Sequence, residues 1–175
     1  MKSLILLFSL LFTISQVVSA QKLKAGRLKS DAQTFDVSKV RDHFVVGNIT
    51  NKVVDKNRKL PERLAKGGYE QYLSFGSEDI FKINSLVSAE YSKASRDLPT
   101  ENPLITYYVS ENGEILAMEF LISSSSSLTI DDLRIIESAI KGKFKFNTDQ
   151  KMLAGAGYVG WTSRLSLTQI LDNPK

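Results

Sequence analysis

The chain has 175 residues, 42% of them hydrophobic and 24% charged, with a formal net charge of +4 and no cysteine. The missing thiols exclude a disulfide framework, a cysteine-built zinc site and a bacterial lipoprotein anchor. Beyond the amino-terminal residues no apolar stretch reaches membrane length, so no integral span is expected after them.

The opening residues, MKSLILLFSLLFTISQVVSAQ, pair Lys2 with an apolar run from Leu4 to Ile14 and end in Val18-Ser19-Ala20. This is the pattern of an export signal cut between Ala20 and Gln21, and the run is far shorter than the roughly 20 residues of a permanent span. Residues 1–20 are therefore read as a signal peptide and the protein as exported, periplasmic or extracellular, without a lipid anchor. Residues 35–175 have the size of one domain.

Residues 21–34 are polar and lysine-rich and read as a flexible basic lead-in. Positions 21–66 hold twelve Lys and Arg against five Asp and Glu, and positions 67–175 hold ten against fourteen. One functional reading follows directly: a binder of anionic surfaces or cell wall acting through the basic segment 21–66. The bland alternative is a solvated leader, since Asp31, Asp36, Asp42 and Asp55 are interspersed.

FDVSKVRDHFVV reads as a strand that turns Phe35 and Val37 to one side. Gly47-Asn48 reads as a turn, and NKVVDKNRKLP as a short strand and loop. From Ser77, read as the cap, an acidic first turn and the steps Ile80, Ile83, Val87, Tyr91 and Ala94 predict an amphipathic helix that stops before Pro99 and Pro103.

LITYYVSENGEILAMEFLI predicts a hairpin about Asn112-Gly113, a pair suited to a type I′ turn. Its second arm is apolar on both faces except at Glu119, as expected for a central or doubly covered strand. A polar turn, SSSSS, leads to a helix capped at Thr129, with Ile130, Leu133, Ile136, Ala139 and Ile140 at helical steps and Gly142 as terminator. KFKFN predicts a strand with Phe144 and Phe146 inward. YVGWTSRLSL predicts a closing strand with Val159, Trp161, Leu165 and Leu167 on one face and Tyr158, Thr162, Arg164 and Ser166 on the other.

Candidate sites are few. Gly155 to Gly160 spell GAGYVG, a letter-for-letter match to the dinucleotide fingerprint, but a strand pattern follows instead of a helix, and Asp172 is too close to serve the ribose. The single histidine, His43, lacks a nucleophile elbow and any second histidine. Adjacent Asp131 and Asp132 point about 100° apart on a helix and suit its positive end better than acid–base work. Asn48-Ile49-Thr50 is formally a glycosylation sequon. The reading is of a non-enzymatic protein, with no catalytic, cofactor or metal residue, no cofactor and no nucleic-acid partner; a hydrolase is the least favoured reading.

YYVSENGEILAMEFLISSSSS, LTIDDLRIIESAIKGKFKF and GYVGWTSRLSL, together about residues 104–168, resemble the C-terminal domain of TonB-type energy transducers. The family's aromatic-proline after the helix is here Phe146-Asn147, and its proline-rich spacer has no counterpart. The resemblance implies a sheet that receives a partner by strand addition at an edge, and not energy transduction. The expected architecture is α+β: a mainly antiparallel sheet with two helices packed on it after the signal. The expected partner is an envelope protein, contacted through Tyr158, Thr162, Arg164 and Ser166.

Overall fold

The computed structural model describes residues 21–51, 60–65 and 68–166. The export signal, the strand and loop read within 52–59, and Leu167 lie outside the described residues. In chain order the elements are β1 (Gly26–Ser30), β2 (Gln33–Val40), β3 (His43–Asn48), α1 (Glu62–Ala65), β4 (Leu73–Ser74), α2 (Ser77–Lys93), β5 (Leu104–Ser110), β6 (Ile115–Ser123), α3 (Ile130–Ile140), β7 (Asn147–Thr148), α4 (Gln150–Leu153) and β8 (Tyr158–Arg164). The chain is α+β. Six strands form one antiparallel sheet in the order β1-β2-β3-β6-β5-β8, and β4 pairs with β7 apart from it.

Alternation decides which side of the sheet is covered. Phe35 and Val37 of β2, Val46 of β3, Ile105, Tyr107 and Val109 of β5, Met118, Phe120 and Ile122 of β6 and Val159 of β8 are buried on one face. The long helices α2 and α3 lie against each other and supply Ile83, Val87 and Tyr91, and Ile130, Leu133, Ile136, Ala139 and Ile140, to the same core. Near β8 the core is aromatic: Phe75 lies 5.5 Å from Phe146 and 5.7 Å from Trp161, and Phe146 lies 5.5 Å from Tyr107. The opposite face carries no described element, and the alternate residues of β3, β6, β5 and β8 line it.

Several local expectations need correction. Residues 21–34 are not a loose lead-in: they contain β1, whose Leu28 is buried, and the start of β2. Arg27 and Lys29 stay exposed between these inward positions, so an edge strand reads as a polar leader. FDVSKVRDHFVV is a hairpin, not a single strand, with Arg41 at φ 53° in its turn, and Gly47-Asn48 belong to β3. Helix α2 is capped by Gly76, one residue before Ser77, and the Gly76 N–H donates to the Asp79 carboxylate at 2.9 Å.

The β5–β6 turn is not type I′. Only Gly113 has positive φ, at 83°, and the Gly113 N–H donates to the Ser110 carbonyl at 2.9 Å. The result is a three-residue loop, Glu111 to Gly113, with a left-handed glycine at its end. KFKFN is mostly not a strand: Phe144 and Phe146 do point inward, but the segment contributes one bridge, Lys145 to Glu114, before β7. Helix α3 begins at its expected cap, with the Thr129 hydroxyl accepting the Asp132 N–H at 3.3 Å, and Gly142 follows it at φ 79°. Among the described residues no helix is long and apolar enough to cross a membrane.

Candidate functional site

β8 closes the sheet with β5 on one side and no described strand on the other. The Leu165 N–H donates to the Pro103 carbonyl at 2.9 Å, which makes 103 and 165 a hydrogen-bonded pair and fixes the alternation along the ladder. Val159, Trp161 and Ser163 therefore direct their backbone groups to β5. Tyr158, Gly160, Thr162 and Arg164 direct theirs outward, and the Tyr158 N–H is already taken by the Ala156 carbonyl at 2.7 Å. The same alternation puts the side chains of Tyr158, Thr162 and Arg164 on the uncovered face.

The four expected contact residues thus divide. Tyr158, Thr162 and Arg164 lie together on the edge, where Thr162 shares a hydroxyl contact of 3.0 Å with Thr106 and Arg164 Nη1 donates to the Asn102 carbonyl at 3.1 Å. Ser166 lies past the end of β8, and its carbonyl accepts from Asn84 Nδ2 of α2 at 2.8 Å. Tyr108 of β5 stands edge-on to Tyr158, with ring centroids 5.9 Å apart. Burial first, then the charge of Glu119 and the neighbouring Tyr158, raise the Tyr108 hydroxyl above its ordinary value. It stays a neutral donor throughout the physiological range.

GAGYVG does not form a phosphate cradle. Gly155 and Gly157 turn the chain at φ 77° and 67°, and the rest of the motif enters β8, so strand and not helix follows it directly. Trp161 packs against the core beside Phe75, its Nε1 buried without a partner among the described residues.

His43 lines a cleft of about 270 Å³ at one end of the uncovered face, together with Glu101, Leu104, Leu121, Ser123 and Arg164. These include the residue types of a hydrolytic relay, yet the bonds of a relay are not made. Among the described residues His43 has no hydrogen bond to either partner. The Ser123 hydroxyl pairs with that of Ser125 at 2.8 Å. Glu101 is taken by the serine turn: it accepts from the Ser127 N–H and hydroxyl, both at 2.6 Å, and from the Ser126 hydroxyl.

Burial works to raise the Glu101 carboxyl, but the donations from Ser126 and Ser127 outweigh it and hold the group below its ordinary value. A depressed carboxyl stabilises the folded form at neutral pH and loses that contribution as pH falls through its folded value. The Ser127 amide is accordingly expected to lose hydrogen-exchange protection on acidification. In Glu101→Gln that pH dependence should disappear; an unchanged profile would exclude Glu101 as the cause.

Asp131 and Asp132 diverge, as expected. Asp131 accepts from the Ser30 hydroxyl of β1, whereas Asp132 accepts from Tyr91, Arg96 and Thr129. Asn48 is 7% exposed, its amide on Glu137 at 2.9 Å and its carbonyl accepting from Thr50, so the sequon is closed to a glycan in the fold. Buried Glu137, also held by Asn51 at 2.6 Å, was invisible in the sequence. It sits on the inner face of α3, where the helical period leads one to expect an apolar residue. Basic Arg27 and Lys29 are exposed on β1, with Asp36 directly across from Arg27. Among the described residues no group of three or more His, Asp or Glu is placed to hold a metal.

No family model matches the chain, and no curated protein matches it. A solved structure of a DUF5043 family protein from Bacteroides uniformis ATCC 8492 is similar, with a TM-score of 0.59 and 17% identity over 84% of this chain and 88% of that one. At that identity the likeness concerns the fold alone.

Proposed function

We propose that the protein is an exported, non-enzymatic interaction module of the bacterial envelope that takes an extended segment of a partner onto β8 by strand addition. The observation that carries this reading is the outward backbone of Gly160, Thr162 and Arg164 at the end of the sheet, with Thr162 and Arg164 side chains on the same uncovered face. The TonB-like order of hairpin, helix and strand over residues 104–168 agrees with such a role, as does the export signal with its setting. Among the described residues no side-chain bond joins His43 to Ser123 or Glu101, and Glu101 is already held by the serine turn, which favours binding over hydrolysis.

The orientation of single backbone groups makes the test sharp. Thr162 points its N–H away from β5, so Thr162→Pro removes an outward donor and leaves the β5 ladder whole, whereas Ser163→Pro breaks that ladder. Thr162→Pro is expected to stay folded by circular dichroism while losing a partner that the unaltered protein captures from envelope extract. Equal capture by both proteins would refute strand addition at this edge.

A further inference from the structure

Gly160 occupies the middle of β8, where a glycine weakens a strand, and neither ordinary reason for one applies. Its φ lies outside the left-handed region, and a Cβ built there would meet only Thr106 Cγ2, at 4.0 Å. Backbone and space would both accept a side chain. What the glycine leaves is a gap in the row of edge side chains, between Tyr158 and Thr162. Behind the gap stands Tyr108, the β5 partner of Gly160, with small Ala117 as its partner on β6. The half-buried Tyr108 thus stands next to this gap, with the Tyr158 ring edge-on to it at 5.9 Å.

We infer that Gly160 is a specificity position that admits one large aromatic side chain of the added strand onto Tyr108. The inference rests on the strand-addition reading. A residue added opposite Gly160 would have its Cα about 10 Å from that of Tyr108, two strand spacings away, a gap that an aromatic side chain spans and a small one does not. Further along the edge, exposed Arg164 keeps most of its guanidinium donors free of described partners and faces the position four residues away on the same side of the added strand. An acidic residue suits that place. The whole sheet is antiparallel, and antiparallel pairing is the more stable per residue. The fitting partner thus reads, from its amino end, acidic, any, β-branched, any, aromatic, with the β-branched residue opposite Thr162.

The test uses two labelled peptides, KKEVTVFKK and KKEVTVAKK, titrated by fluorescence anisotropy against the unaltered protein, Gly160→Val and Thr162→Pro. The phenylalanine peptide is expected to bind the unaltered protein about tenfold more tightly than the alanine peptide. In Gly160→Val the phenylalanine peptide should bind no more tightly than the alanine peptide, and Thr162→Pro should bind neither. Equal affinity of the two peptides, or an advantage that survives in Gly160→Val, overturns the aromatic gap and leaves the edge reading standing if Thr162→Pro still fails to bind. Undiminished binding by Thr162→Pro, or no binding by any of the proteins, overturns both. Sedimentation as a dimer that is abolished by Thr162→Pro would identify a second copy of the chain as the occupant and likewise overturn the peptide pattern.

Discussion

Asp132→Ala is expected to cost about 3 kcal/mol of folding stability, because it removes the shared acceptor of a buried network. One carboxylate oxygen takes the Tyr91 hydroxyl at 3.1 Å and the Arg96 guanidinium at 2.9 Å; the other takes the Thr129 N–H at 2.8 Å and hydroxyl at 2.6 Å. Tyr91 is fully buried on α2, and burial, then the negative charge of Asp132, raise its hydroxyl far above the ordinary value. That hydroxyl remains a donor at neutral pH. Alanine would leave it, the Arg96 charge and the first turn of α3 without their acceptor. Urea unfolding of the variant measures the loss. Tyr91→Phe, which removes a single donor, should cost only about 1 kcal/mol, and a similar cost for both would mean the network is not shared through Asp132.

Gly113→Ala is expected to be comparably severe, at about 3 kcal/mol, for a different reason. At φ 83° a side chain is strained, and a Cβ would lie 2.0 Å from the carbonyl oxygen of Phe146. The Phe146 N–H meanwhile donates to the Gly113 carbonyl at 2.9 Å, so the two backbones are tied where they would have to part. Retreat would also disturb the Phe146 ring, which packs 5.2 Å from Phe144 and 5.5 Å from Phe75. Strain and crowding can be separated. Asparagine tolerates the left-handed conformation but brings the same Cβ, so Gly113→Asn should recover little in thermal unfolding; near-complete recovery would assign the cost to strain alone.

What could be read in advance follows the range of the interactions involved. Thr129 and Asp132 are three residues apart, and the cap of α3 is written within that span. The alternation in β5 likewise sets Ile105, Tyr107 and Val109 on one face, which is the face the helices cover. The form of the hairpin turn is not legible locally because it depends on Phe146, thirty-three positions downstream, lying against Gly113. β1 leaves little trace in the sequence because Leu28 and Ser30 are its only buried positions, and Ser30 is inward for the sake of Asp131 and Arg134, more than one hundred residues away. For the site, alternation placed Tyr158, Thr162 and Arg164 on one face. Their position at a sheet edge, and the removal of Ser166 to α2, depend on strand order and on Asn84, which leave no periodic trace.

The two borders of the sheet carry charge of the same sign. β1 presents Arg27 and Lys29 along its free side, and β8 presents Arg164. A module with two receptive borders would be able to stack border to border, each copy seeding the next into an open filament. Here both borders carry cations, so copies approaching in that manner meet like charge, and the lysine and arginine of β1 act as gatekeepers against it. On the proposed reading, acceptance of a strand would be kept to β8 and separated from polymerisation.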